Sequence, residues 1–560
     1  MRRRPSTRWP APFTAAGNGA RAAPPLHATG ERNCHAGRRD RRVLTSPPAG
    51  TRPNGLQASP ALPRGQIPNL QILRFVAASC VVIHHVAAYL EMLRGIPRAV
   101  PMLDGILGAF GVAIFFAISG FLMAGLLGRT APATFLAHRV ARIVPAYLAV
   151  TLLFGGLFAL LKLGFSIGFF ALTLAPSGPR TYPLGVEWTL VFELTFYVAL
   201  FGLALAGAAS RLTAVAAGWL VVLAAAWCLL PPAAVAGAQP PLHLVLVASA
   251  CAPFAAGLLL PRLLARHHLH PALLLLVPPL VLASTVVPIT TARWLCGLAA
   301  ILAVGLAVQG RQVRDDGPMT RAALRFGDWS YVLYLAHVPV IFLVLHLAPA
   351  GWSGPALWPA CIAAILAATA LLGPWDLRAY RVLRRAIDAA PRRRVAGVMA
   401  AWLALFLGTA GFGSVQAVRE ERRLARAADL AAAFPPASWL SPDSAAAALA
   451  GRPPPASIRA AVEGLDRVTH TEARLRAFAF DSARPDRSFV LLAFCGGVPA
   501  GADLARRQRG DVAQRPGFEG VKSRRIGFRV RVPAAACPPG PPPVALLVDP
   551  DDGTILLPGS

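Results

Sequence analysis

Eleven apolar stretches, each long enough to cross a bilayer as a helix, follow one another between residues 70 and 415 of this 560-residue chain. They lie at about 70–90, 103–127, 144–165, 187–207, 213–231, 242–260, 271–288, 292–310, 327–347, 355–375 and 395–415. Within hydrocarbon, every backbone polar group must find its partner inside the protein, so a series like this folds as a helical bundle. The chain is 55% hydrophobic and only 14% charged, which argues for repeated membrane spans over one large soluble core. A further apolar piece at 166–175 is too short for another crossing and reads as an interfacial or re-entrant segment.

The net charge of +29 would ordinarily raise nucleic acid as a partner. Here the arginines cluster between apolar stretches, where positive charge sets membrane orientation, and nucleic-acid binding is set aside. With the N-terminus inside, the short inner loops at 128–143, 208–212, 261–270, 311–326 and 376–394 carry seventeen arginines. The outer short loops carry only Arg94, Arg98 and Arg180, with Arg293 at the border of a span. This asymmetry predicts a cytoplasmic N-terminus, and an odd number of spans then sends residues 416–560 to the extracytoplasmic face. Residues 1–67 hold no apolar run long enough for a signal-peptide core; they read as a disordered basic cytoplasmic tail or as a start assigned too far upstream.

After an additional span at 391–415, a charged helical stretch (Arg419 to Ala433) and Pro-rich linkers fill 416–475. Residues 476–560 contain the runs Ser488–Phe494, Ile526–Val532 and Val544–Val548 between Gly, Pro and Asp turns, which predict a small β-rich domain. Acidic residues at Asp481 and at Asp549 to Asp552 are read as turns before a cation or sugar site. The expected fold is therefore an all-α polytopic membrane bundle of about eleven transmembrane helices with a small C-terminal extracytoplasmic β-rich domain. Cys80, Cys228, Cys251, Cys296 and Cys361 stand singly in apolar runs with no metal-ligand spacing, so no metal is expected. Cys495 and Cys537 share the polar tail and can pair if it lies outside the cytoplasm.

Ionisable residues inside spans are costly and mark candidate sites. The first span holds Arg74, His84 and His85; at about 1.5 Å per residue, Arg74 and His85 lie roughly 16 Å apart along a helix axis. Arg74 thus falls near the inner edge and the histidines in the outer half. The second span contains Ser119 beside Gly120 and Phe121, fit for close packing and a cross-helix hydrogen bond. Arg139 and Arg142, at i and i+3, share one face and suit either phosphate binding or anchoring to anionic lipid. Trp188, Glu193 and Tyr197 follow in the fourth span, where the out-to-in direction puts Glu193 near the depth of His85, as a carboxylate able to orient a histidine base. Ser330, Tyr331 and His337 add a polar stripe in the ninth; His337 either lines the same cavity or ties helices together.

In this order, the Arg74-to-His85 element, Phe115 to Phe121, Arg139 to Tyr147, Trp188 to Tyr197 and Ser330 to Pro339 resemble the integral-membrane acyltransferase type 3 family, over about residues 68–390. The chain departs from many relatives in having Glu187-Trp188-Thr189-Leu190 and a single Glu193 where a Ser-rich stretch with two adjacent acids is common. It also shows no Gly-Asp-Ser block of an appended esterase-like domain.

The resemblance implies O-acylation of a surface polysaccharide or lipopolysaccharide at a bacterial inner membrane, with acetyl-coenzyme A as cytoplasmic donor and a glycan hydroxyl as outer acceptor. Arg139, Arg142 and Arg74 would hold the donor phosphates, His85 would act as base or nucleophile and Glu193 would orient it. His84, Ser119, Trp188, Tyr197, Ser330, Tyr331 and His337 would support the site or contact substrate. The competing classes are a carrier of a small anionic metabolite, against which no paired broken helices stand in matching halves, and a nonenzymatic glycan-binding membrane sensor.

Overall fold

The computed structural model describes residues 67–558 except 164, 166, 315–316, 452–454, 468–471, 506, 509–511, 513–524, 534–536 and 538–542. The basic tail expected up to residue 67 lies, but for its last residue, outside the described residues. The bundle is built from α1 (Pro68–Arg94), α2 (Pro101–Leu126), α3 (Pro132–Leu160), α4 (Trp188–Leu205), α5 (Leu212–Leu229), α6 (Ala252–Leu264), α7 (Ile289–Gln309), α8 (Pro318–Asp328), α9 (Ser330–Leu347), α10 (Gly354–Ala389) and α11 (Arg392–Ala432). Many open on a proline in the first turn, where the missing N–H is no loss.

Each of the eleven apolar stretches becomes helical, but among the described residues nine helices, not eleven, are long and apolar enough to cross a membrane. The other two, Ser249–Leu264 and Pro271–Ala283, are shorter. In the second, prolines cut the stretch into a 3-10 turn, Pro271–Leu276, and a short helix, Val277–Ala283. Thirteen residues reach only about 20 Å against a hydrocarbon thickness of about 30 Å. The piece at 166–175 forms the five-residue helix Phe169–Thr173, whose Ala171 carbonyl accepts a hydrogen bond from Tyr147 at 3.1 Å. Helix α2 is the most enclosed and packs against α1, α6 and α7. Its Gly120 faces Gly257 of α6, and a Cβ on either would meet the other helix's backbone, which is why small residues occupy this crossing.

The C-terminal domain is a sandwich of two four-stranded sheets. Its strands are β1 (Ile458–Arg467), β2 (Glu472–Asp481), β3 (Val490–Cys495), β4 (Val498–Leu504), β5 (Arg507–Gln508), β6 (Arg525–Pro533), β7 (Val544–Val548) and β8 (Ile555–Leu556), in the orders β1-β2-β6-β5 and β4-β3-β7-β8. Leu491, Ala493, Ala545 and Leu547 meet Leu475, Ala477, Phe528 and Val530 between the sheets. The alternate residues Val490, Leu492, Phe494, Val544, Leu546 and Val548 pack on Ala427 and Ala431 of α11 and on Trp439. Strands β3 and β7 are buried on both faces, which explains their unbroken apolar runs. The sheet begins at Ile458, inside the segment read as linker; Gly464 and the register shift beside it mask β1 as a strand in the sequence. Cys495 and Cys537 form a disulfide.

Helix α11 is continuous over 41 residues, about 62 Å. Near its middle, the Ser414 hydroxyl donates to Pro176 O and accepts from Leu242 N–H, pinning it to two bundle loops. Near its end, Arg423 donates to Ser488 O at 2.7 Å and pairs with Asp551 at 3.0 Å.

Candidate active site

Two cavities lie inside the bundle, of about 250 and about 190 Å³, and they share Val112, Phe116 and Tyr334 as a common wall. The larger is an arginine chamber. Arg74 of α1, Arg139 and Arg142 of α3, Ser119 of α2, Glu193 and Tyr197 of α4, Ser330 and Tyr331 of α9 and Tyr380 of α10 line it. The i, i+3 spacing does bring Arg139 and Arg142 to one face, but the two differ. Arg142 donates to Asp376 at 2.7 Å, and its guanidinium lies 4.9 Å and 5.4 Å from the ring centres of Tyr331 and Tyr380. The buried Nε of Arg139 has no hydrogen-bond partner, and neither Arg139 nor Arg74 is ion-paired among the described residues. The buried Ser330 hydroxyl also lacks a partner among the described residues. Tyr331 donates to Ile143 O at 2.8 Å, joining α9 to α3.

The smaller cavity is a histidine chamber, lined by His84, His85, Gly108, Trp188, Arg293 and Tyr334 among others. Gly108 leaves room for the His84 ring, which a Cβ would approach to 2.8 Å. His85 Nδ1 lies 2.9 Å from Val81 O and 3.2 Å from His337 Nε2, while His337 Nδ1 lies 2.7 Å from Tyr334 O. A carbonyl only accepts, so both Nδ1 atoms carry the hydrogen; this assigns His337 Nε2 as an acceptor and, when the His85 imidazole is neutral, leaves its Nε2 with a free lone pair. Three groups therefore fix one tautomer of one imidazole.

Arg74 and His85, placed at different depths by their spacing, line different chambers. The expected pairing of His85 with Glu193 does not form. Glu193 accepts from Tyr197, and Ser119 Oγ lies 3.5 Å from the same carboxylate oxygen and 3.1 Å from Tyr197 Oη. The reason is axial distance: Trp188 is the α4 residue that reaches the histidine chamber, and five residues further along, about 7 Å, Glu193 has passed the wall. His337, fully buried, takes the place beside His85 that the carboxylate was expected to hold.

Sequence reasoning misses four residues. Asp376 lies just beyond an apolar stretch and reads as loop, although an acid within reach of an i, i+3 arginine pair is the available signal. Tyr334 belongs to the wall and accepts from or donates to Thr189 Oγ1 at 2.8 Å. Glu187 is fully buried and accepts from Leu184 N–H at 2.7 Å and Val186 N–H at 2.9 Å, closing the loop ahead of α4. Charge counting alone leaves Arg293 at a span border, with no role in a site. No group of three or more His, Cys, Asp or Glu able to hold a metal ion occurs among the described residues.

Residues 67–373 match the acyltransferase type 3 family, described as an acyltransferase domain. The exopolysaccharide production protein ExoZ of Rhizobium meliloti (strain 1021) is 28% identical over 304 residues, covering 50% of this chain and 89% of that protein. No solved structure matches. The match takes in every residue lining the two chambers except Tyr380, and ends before the last part of α10, α11 and the sandwich. The chain belongs to the acyltransferase type 3 family and is a membrane acyltransferase.

Proposed function

We propose that this protein moves an acyl group, acetyl in the simplest case, from a cytoplasmic coenzyme A thioester to a hydroxyl of an exported polysaccharide at a bacterial inner membrane. The observation that carries the reading is the division of labour across one wall: on one side Arg74 and Arg139, without an ion pair among the described residues, and on the other an imidazole held by its Nδ1 with Nε2 left to act. The similarity to a protein named for exopolysaccharide production supports a glycan as acceptor.

In this reading Arg74 and Arg139 hold the donor's phosphates by charge-assisted hydrogen bonds, and Arg142, already paired with Asp376, shapes the chamber and adds its remaining N–H groups. The pantetheine arm passes the wall of Val112, Phe116 and Tyr334 toward His85. The acceptor oxygen attacks the thioester carbonyl carbon as His85 Nε2 takes its proton; the C–O bond forms, the C–S bond breaks, and the imidazolium returns the proton to the departing thiolate. His337 is a positioning residue for His85. Glu193, Tyr197 and Ser119 form a positioning triad for the donor chamber, and His84 and Trp188 shape the acceptor side.

Orientation follows from three supports. Basic loops favour the Arg74 end as cytoplasmic. The Cys495–Cys537 disulfide favours an oxidising compartment for the sandwich. The two short helical segments are consecutive, so counting both or neither leaves an odd number of crossings.

The test is transfer of labelled acetyl from coenzyme A to surface polysaccharide by the full-length protein in lipid nanodiscs. His85→Ala, shown to be folded, is expected to lose 10²-fold to 10⁴-fold in kcat, the usual range for a general base. Glu193→Gln and His337→Gln should each slow transfer less. Wild-type rates from folded His85→Ala protein would remove the proposed chemistry.

A further inference from the structure

A buried guanidinium in a membrane bundle normally finds partners among carboxylates or carbonyls, and two in this bundle show how. Arg142 has Asp376, and Arg94 donates to the carbonyls of Leu345, Ala348 and Pro349. Arg293, in the second turn of α7, is different. Its Nη1 is completely enclosed with no hydrogen-bond partner, and it makes no ion pair among the described residues. The side chain as a whole is half-buried, yet this nitrogen is cut off from water, so snorkelling does not satisfy it. Arg293 lines the histidine chamber with His84, His85, Gly108 and Trp188. A histidine is neutral or cationic, so neither His85 nor His337 can supply a counter-charge, and the Cys251 thiol nearby is engaged with Val245 O at 3.1 Å.

We infer that Arg293 reads the acceptor: it binds an oxyanion, a carboxylate or a phosphate, carried by the glycan whose hydroxyl is brought to His85. This rests on the acyl-transfer reading above and adds to it the chemical class of the acceptor. A carboxylate on a neighbouring uronic acid and a phosphate of a lipid-linked sugar present the same pair of oxygens to a guanidinium, so both fit the residue. An uncompensated cation is the expected state of such a pocket before its ligand arrives, and a neutral glycan would leave the same donors unpaired in the complex, which is how a polar site rejects a ligand that lacks the matching group.

The experiment measures binding without donor, so it does not depend on turnover. Full-length protein in nanodiscs is titrated with a glucuronic-acid-containing oligosaccharide, with the same oligosaccharide after reduction of its carboxyls to alcohols, and with a polyprenyl-diphosphate-linked neutral sugar. Wild type is expected to bind one of the two anionic ligands at least tenfold more tightly than the reduced oligosaccharide; whichever it prefers distinguishes carboxylate from phosphate. Arg293→Gln should lose that preference while binding the reduced oligosaccharide as before, and Arg293→Lys should keep part of it. Should the glutamine variant fail to fold, the lysine variant decides, because it keeps charge and loses the planar two-donor geometry. Equal binding of all three ligands by wild type, or full preference in the variants, overturns the inference. A preference for the anion in a protein that transfers no acyl group would leave the inference standing and remove the proposed function instead.

Discussion

Arg487 of the sandwich and Arg139 of the bundle both carry guanidinium nitrogens cut off from water, and the protein treats them in opposite ways. Arg487 donates from Nε to Asp549, from Nη1 to Asp481 at 3.0 Å and from Nη2 to Asp552 and Thr554, and its carbon lies 5.1 Å from the ring centre of Phe489. Arg139 lines a cavity with its Nε unsatisfied, and Arg74 shares that cavity without an ion pair among the described residues. A completely satisfied buried charge fastens a fold together. An unsatisfied one, enclosed next to a cavity, keeps its desolvation penalty until something else binds, and under the proposed function that distinction separates structural from donor-binding arginines.

The contrast is sharpest if each class is removed in turn. Arg487→Ala removes the cation shared by Asp481, Asp549 and Asp552, leaving only Asp552 in close contact with Arg484, and is expected to destabilise the sandwich by about 3–5 kcal/mol, the usual cost of breaking a buried pair; accelerated proteolysis of residues 458–558 in the intact protein reads it, with donor binding unchanged. Arg74→Ala combined with Arg139→Ala should do the reverse. Loss of two charge-assisted hydrogen bonds, at about 1.5–3 kcal/mol each, is expected to weaken donor binding by about 10²-fold or more in a titration with coenzyme A, with no loss of thermal stability. A bundle that melts earlier in the double variant would break the comparison, since both arginines would then be fastening the fold.

Acid separates the two regions next. At Asp481 burial works against ionisation, yet the hydrogen bonds from Arg487 and Ser457 outweigh it and hold the carboxyl below its ordinary value. At Asp552 burial is likewise outweighed, by Arg484 and Thr554, and the carboxyl falls well below the usual carboxylate range. Carboxylates with depressed folded pKa values bind fewer protons folded than unfolded. Their contribution is complete above the unfolded value of about 3.9 and fades as pH falls through the folded values. Proteolytic resistance of the sandwich is therefore expected to hold constant from neutrality to about pH 4 and to drop below it. A loss already near pH 6 would show that these pairs are not what fastens the domain. The smallest effect is expected from Gly108→Ala, which displaces the His84 ring and should lower kcat several-fold with donor binding unchanged.

Much of this architecture was legible in the sequence because it depends on quantities with a fixed repeat. The rise per residue separates Arg74 from His85 whatever the packing, and the two do occupy different chambers. The apolar runs of β3, β6 and β7 survive as strands because burial on one or both faces demands them. What hydropathy does not carry is how far a proline-interrupted stretch extends, as at Pro271–Ala283, or how a helix is rotated and shifted against its neighbours. The latter decides that His337 and not Glu193 meets His85, and it also brings Asp376 under Arg142 from a position that reads as loop. Arg293 shows the limit of charge counting: the same residue serves as a topological marker by number and as a chamber wall by position.

Because α11 passes without interruption from the bundle loops at Ser414 to the sandwich at Ala427 and Ala431, no hinge breaks the helix between bundle and sandwich. Its bearing is geared to the helical screw: each residue added to or taken from that shaft would turn the whole sandwich by about 100° while lifting it only about 1.5 Å. Drift in sequence can substitute freely along the exposed sides of this mast, but a change in its length re-aims everything mounted on top.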